Sequence, residues 1–283
     1  MKKWNTFPHE AAGYIYAGDS LKENWDRLHR GDCVTFPEAG ELQASAAAYP
    51  NALPPSFDGD FTALAAHLRK AWRHYHCGEF KQAIAIADEC GSFGHAAANK
   101  ACGVYGTYLE DDDKVKQTLF LEAVERAELA INALPDDCNA HYFHAFNLGR
   151  YSQSISITQA LKQGMAGKVL ASLERTLSLQ PKHAEAHTAM GLYHAEIIDK
   201  VGKLIGSMTY GASADTALEH FKKALKFTPH APIAHIEYGN GLYMLFGDKR
   251  LDEVTDAYIA ASELTAVDAM ERLDIELALA ELE

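Results

Sequence analysis

The sequence predicts an all-α fold made of repeated helix pairs, and three observations predict it. Three segments align on their prolines, PDDCNAHYFHAFNLG, PKHAEAHTAMGLYHA and PHAPIAHIEYGNGLY, so that His141, His187 and His235 each fall six residues after Pro135, Pro181 and Pro229. Four residues beyond each histidine stands a small residue, Ala145, Gly191 or Gly239, and an earlier copy gives Asn99 and Gly103 the same relation. The segments before the prolines repeat too. Ala217, Phe221 and Ala224, or Ala123, Ala127 and Ala130, recur at spacings of four and three, which places them on one helix face. A period of this kind is read before any single motif, because units that cannot bury their apolar faces alone must stack.

The elements follow in chain order. Residues 1–57 stand outside the period and form an N-terminal arm. Ser20 and Glu23 have the spacing of a capping box and predict a short helix. The stretch YPNALPPSFDGD reads as a linker broken by proline and glycine. Trp4, Phe7, Tyr14, Tyr16, Trp25 and Phe36 would be costly to expose, so the arm is expected to pack on the first repeats.

The repeat domain then covers 58–268, and AMERLDIELALAELE at 269–283 predicts a final helix that caps the array. In the first pair, which turns at Gly78, Ala71 stands 12 residues before Ala83. Gly103 to Ala123 spans 20, Ala145 to Val169 spans 24, Gly191 to Ala217 spans 26 and Gly239 to Val254 spans 15. The extra residues fall between the first helix (A) and the second (B) of each pair. They are read as a lengthened helix A followed by an irregular connector. Ile197, Val201, Leu204, Ile205 and Met208 continue the A-helix spacing, Gly211 can end that helix, and Ser213 can cap the next.

Together these positions resemble the tetratricopeptide repeat, whose helix pairs are marked by W-x2-L-G-x2-Y, then A-x3-F, then P. About five such pairs fit between roughly residues 61 and 268. The expected architecture is a right-handed superhelix with elongated middle repeats. The third and fourth units, with Lys200, Lys203, Gly211, Ala217, Leu218 and Phe221, resemble the tetratricopeptide-like domain of the regulator-of-microtubule-dynamics family, over roughly Cys138 to Phe246. That resemblance implies a protein-binding or lipid-binding helical scaffold, not an enzyme. Eukaryotic members often carry a membrane anchor, whereas no apolar run in this sequence could span a bilayer.

Composition narrows the function classes. The net charge of −13 argues against nucleic acid and anionic surfaces as general partners, since Lys and Arg must displace counterions there. Tubulin surfaces are acidic as well, which sets this chain apart from a microtubule-binding role. The N-terminal stretch has no apolar core of a signal peptide, and the five cysteines show no CxxC spacing, so a reducing cytoplasm is expected.

The chemical motifs resolve to structure. KVGKLIGS lacks the phosphate-loop pattern, and Gly202 and Gly206 have the spacing of close helix packing, with Asp199, Lys200 and Lys203 unsuited to a bilayer interior. HAEAH, at His183 and His187, places Glu185 off the face of the histidine pair, and HYHC supplies His74 and Cys77 without evident further ligands beyond His67. EDDDK, Glu110 to Lys114, reads as a solvated connector. No nucleophile elbow, dinucleotide fingerprint or cofactor motif appears.

A ligand would lie on the concave face that A helices line. Counting from the repeat, that face holds Lys100, Val104 and Tyr108, then Tyr142, Phe146 and Arg150, then Thr188, Leu192 and Glu196, then Ile236, Asn240 and Tyr243. This lining is more apolar than a groove for acidic peptide tails. A protein or peptide segment is the favoured occupant. An apolar small molecule such as a lipid is the alternative, and a metal-dependent enzyme using the histidines is the third reading. The N-terminal arm or a second copy of the chain would account for the same residues.

Overall fold

A computed structural model describes residues 4–283, so the first three residues of the N-terminal stretch lie outside the described residues. Those residues form an all-α helical repeat, with no strand among them. Two units are distinguished by their internal packing. The first takes the chain up to His29 and then Val34–Ser156; the second takes Arg30–Cys33 and Ile157–Glu283.

In the first unit, α1 (Ser20–Leu28) and α2 (Ala39–Ala48) precede the pairs α3 (Phe61–His76) with α4 (Phe80–Asp88) and α5 (His95–Tyr108) with α6 (Asp113–Ala133), and α7 (Cys138–Gln153) follows. The second unit runs α8 (Ile157–Lys162), α9 (Met165–Leu179), α10 (Ala184–Val201), α11 (Lys203–Tyr210), α12 (Ala214–Phe227), α13 (Pro232–Phe246), α14 (Leu251–Ser262) and α15 (Ala269–Glu281).

Helix starts are set by short polar side chains that accept from otherwise unpaired amides. Asp60 accepts from Thr62 and Ala63, Asp112 from Lys114 and Val115, Ser213 from Thr216, and Asp268 from Glu271. The period seen in the sequence has a direct cause here. His141, His187 and His235 each donate from Nε2 to the carbonyl of the proline six residues back, at 2.9, 3.1 and 2.9 Å. The imidazole thus ties the entry of each A helix to the end of the preceding B helix. The small residues of the period also gain a reason. A Cβ at Gly191 would stand 2.7 Å from the Phe221 ring, and one at Gly239 would stand 3.3 Å from the Tyr258 ring. The bare glycine backbone lets a B-helix aromatic lie flat on the A helix.

Three expectations are corrected. Helix A of the fourth pair does not run on to Met208: Gly202, at φ 82°, stops α10, and α11 starts afresh on a new axis. Leu204, Ile205 and Met208 therefore leave the apolar stripe that their spacing suggested and face outward. Gly211, in the left-handed region at φ 66°, ends α11, and Ser213 caps α12 as expected. In the second pair the additional length belongs to helix B, because α5 stops at Tyr108 and α6 begins early at Asp113. Glu110 is buried in that junction and accepts from the Asp112 amide at 2.9 Å and from the Tyr105 hydroxyl at 3.3 Å, so EDDDK is only partly a solvated connector.

The arm forms more structure than its composition suggested. The capping box at Ser20 does not form. Ser20 is the first residue of α1, and its hydroxyl donates to the Ala17 carbonyl at 2.7 Å. Trp25 and Trp72 meet edge to face, 5.9 Å apart, with His29 and His76 beside them. Leu42 of α2 joins Leu64, Ala65, Leu68 and Cys90 in a second cluster. Nearer the N-terminus the Trp4 ring lies 3.9 Å from that of Tyr105, and the Arg73 guanidinium donates to the carbonyls of Tyr16 and Gly18.

Candidate functional site

The A-helix face predicted to bind splits into buried and accessible members. In the first unit, α7 presents Tyr142, Phe146 and Arg150 on successive turns. The Tyr142 and Phe146 rings stack with centroids 6.0 Å apart, and the Arg150 guanidinium lies 5.6 Å from the Phe146 centroid. Phe146 rests on Gly103 of α5, where a Cβ would approach its ring to 2.2 Å. Phe146, Arg150 and Tyr108 are half-buried, while Tyr142 is nearly covered. Lys100 and Val104 are buried, with the Lys100 ammonium 5.9 Å from the Tyr75 ring.

In the second unit Thr188 is buried and donates to the Ala184 carbonyl, Leu192 is half-buried, and Glu196 pairs with Lys200 at 3.0 Å. Ile236 belongs to the interior, among Ala261, Ala278 and Tyr258. Asn240 donates to Glu237 and accepts from the Tyr258 hydroxyl, and Tyr243 stands exposed. Burial pushes the Tyr258 phenol up to about 12, with Glu281 and Glu237 adding to the effect.

His187, His194 and His220 of the second unit form a polar seam. Among the described residues no three His, Cys, Asp or Glu side chains stand close enough to hold a metal ion. His183 is used as a helix cap, its Nδ1 accepting from Ala186, and His74 pairs with Glu79. His67 pairs with Glu89. Burial pushes the thiols of Cys90 and Cys102 up to about 12 and raises that of Cys77, so these are protonated packing groups without thiolate character.

Between α10 and α12, His187 and His220 face each other through their Nδ1 atoms at 2.8 Å. Because His187 Nε2 donates to Pro181, its Nδ1 accepts, and His220 supplies the proton. Desolvation first, and then His187, Lys223 and His194, lower the His220 pKa from its ordinary 6.5 to about 4; burial also lowers those of His187 and His194. The unfolded chain therefore takes up this proton before the folded one does. The stability held by a neutral His220 is full above pH 6.5 and is lost as pH falls toward 4. Calorimetry at stepped pH should show the melting temperature falling across that window, with a shallower fall in His220→Gln. Equal slopes would remove His220 as the cause.

Sequence reasoning passed over one recess, a cavity of about 340 Å³ in the first unit between the arm and α4, lined by Trp4, Phe7, Ile15, Cys77, Phe80 and Tyr105. Its signal was the aromatic density of the arm. Asn5 closes one side, its backbone amide donating to the Tyr105 hydroxyl at 3.1 Å and its side chain to the Leu109 carbonyl at 2.5 Å.

Comparison with known proteins accords with the geometry. The sequence model of the family described as Regulator of microtubule dynamics protein 1-3 matches residues 95–238, half of the chain. The chain belongs to this family. The regulator-of-microtubule-dynamics match starts with α5 and ends inside α13, so it takes in Tyr142, Phe146 and Arg150, the histidine seam and both short helices α8 and α11. Among solved structures, a thermophilic TPR protein of Thermus thermophilus is similar with a TM-score of 0.54 at 16% identity, over 77% of this chain and 99% of that one. At that identity the likeness shows the fold, a tetratricopeptide-like helical repeat. No curated protein sequence matches.

Proposed function

We propose that this member of the regulator-of-microtubule-dynamics family is a non-enzymatic scaffold that takes a protein segment on the A-helix face of its first unit. The observation that supports this reading is the ladder of Tyr142, Phe146 and Arg150. Two stacked rings and a guanidinium stand on successive turns, and the last two remain accessible. Tyr and Arg are the residue types that concentrate binding energy at interfaces, because they bring large contact area and several donors on few rotatable bonds. Burial holds the Cys77, Cys90 and Cys102 thiols protonated, and His183 and His187 are engaged in structural bonds, which supports reading this face as the binding surface.

The test begins with peptides selected by display against the purified full chain. Arg150→Ala should weaken their binding about 30-fold, as loss of about 2 kcal/mol at an interface anchor implies. The melting temperature should stay unchanged, since Arg150 is half-exposed. Peptides that bind equally to wild type and Arg150→Ala would overturn the assignment of the site. Extractable lipid on the purified protein in native mass spectrometry would favour a carrier instead.

A further inference from the structure

Helix α11 is amphipathic the wrong way round. At about 100° per residue, Leu204, Ile205 and Met208 cluster on one side of the helix, while Gly206 and Tyr210 lie on the other. The side turned to the protein carries glycine: Gly206 is buried beside Ile197 and Ala212, and the Tyr210 carbonyl accepts from the Tyr193 hydroxyl. The apolar side faces water, with Leu204 73%, Ile205 55% and Met208 81% exposed.

This presentation is built in. Gly202 and Gly211 hold positive φ at the two ends, the Gly206 amide donates to the Gly202 carbonyl, and the Ala212 amide returns to the Gly206 carbonyl at 3.0 Å. A helix fixed at both ends cannot roll its apolar residues inward.

Charge and area indicate what covers that face. In a chain of net charge −13, the segment from Lys200 to Ala214 contains no Asp or Glu, and Lys203 immediately precedes its apolar residues, while Lys200 is paired with Glu196. Asp199, just before it, is the nearest acid in sequence on that side, and Asp215 follows on the other. The junction before α9 has the same character. Ile157 and Leu161 of α8 are exposed, Lys162 and Lys168 follow, and no acid occurs between residues 138 and 173. Both short helices precede a B helix, α9 or α12, and in stacked pairs equivalent junctions fall on one edge. Three side chains on one turn fall far short of the about 800 Å² per partner that a stable protein interface buries. They suit an environment that solvates each apolar residue separately and attracts lysine. Among the described residues no helix is long and apolar enough to cross a membrane, so the contact lies in the interface plane.

We propose that α11, assisted by α8, docks the chain reversibly on an anionic lipid bilayer, with Leu204, Ile205 and Met208 entering the headgroup region and Lys203 meeting acidic headgroups. The basic edge meets negative lipid although the chain as a whole is acidic, so binding is oriented and salt-sensitive.

The test is flotation of the full chain with vesicles of phosphatidylcholine, with and without phosphatidylserine. The wild type should float with the serine-lipid vesicles and not with phosphatidylcholine alone. The paired substitution Leu204→Glu with Met208→Glu should cut the bound fraction about tenfold with an unchanged melting temperature, since both residues are exposed. Lys203→Glu should weaken binding to serine-lipid vesicles in the same direction. Failure to float, or equal flotation of wild type and the paired variant, overturns the proposal. So does a dimer in light scattering that the paired variant dissolves, which would make a second copy the occupant. Arg150→Ala should float like wild type, which separates this surface from the peptide face.

Discussion

Phe221→Ala should lower the stability of the second unit by about 3–5 kcal/mol, the range for removing a fully buried aromatic side chain. Phe221 has no exposed surface, and its ring is held between two glycines: a Cβ at Gly191 would lie 2.7 Å from it and one at Gly241 2.3 Å. Urea unfolding followed by circular dichroism measures the effect. The same geometry predicts a reciprocal result. Gly241→Ala should be destabilising in the wild type, because the ring it meets is pinned on the opposite side and cannot retreat. With Phe221→Leu in place the added methyl has room, so the cost of Gly241→Ala should shrink. The double-mutant cycle should therefore show a coupling of about 1–3 kcal/mol. Additive effects would mean that Phe221 is free to move and that the glycines are not there for its sake.

Gly94→Ala should be comparably severe in the first unit. Gly94 opens α5 with an ordinary backbone conformation, φ −85°, so the reason for glycine is space and not torsion. A Cβ there would come within 1.8 Å of the Ala87 carbonyl oxygen and 2.6 Å of its carbon. Backbone atoms at the end of α4 can yield only if the α4–α5 turn opens. A loss of about 3 kcal/mol or more is expected, in the range of forced overpacking against main chain. Hydrogen exchange should show the amides of α4 and α5 losing protection first. Unchanged exchange there would show that the turn accommodates the methyl.

The repeat was legible because its physics leaves marks at fixed offsets. Close helix packing demands Ala or Gly, the facing helix supplies Phe, and a Pro-to-His bond sets the entry of three A helices; each of these survives in the letters of the sequence. The junctions were not legible in the same way. The spacing of Leu204, Ile205 and Met208 shows that they share a side of a helix, but spacing carries no information about which way that side points. One torsion at Gly202 reverses the answer. Helix α2 was missed because AGELQASAAA has no apolar period to betray it, and it is held by Leu42 and Ala46 alone. On the A-helix face, the positions were countable and their exposure was not. Whether Val104, Ile236 or Tyr243 sees water depends on what packs beside each, and the three turn out buried, buried and exposed.

The short passage Arg30–Cys33 has a consequence for the birth of the molecule. These residues leave the ribosome with the arm, yet they are part of the unit whose other residues begin at Ile157, and the Gly31 carbonyl there accepts the Glu185 amide at 3.0 Å. At bacterial or eukaryotic elongation speeds the partner amide is made on the order of ten seconds later. The first unit can therefore close during synthesis on either side of a four-residue loop that stays unsatisfied until much of the remaining chain has emerged.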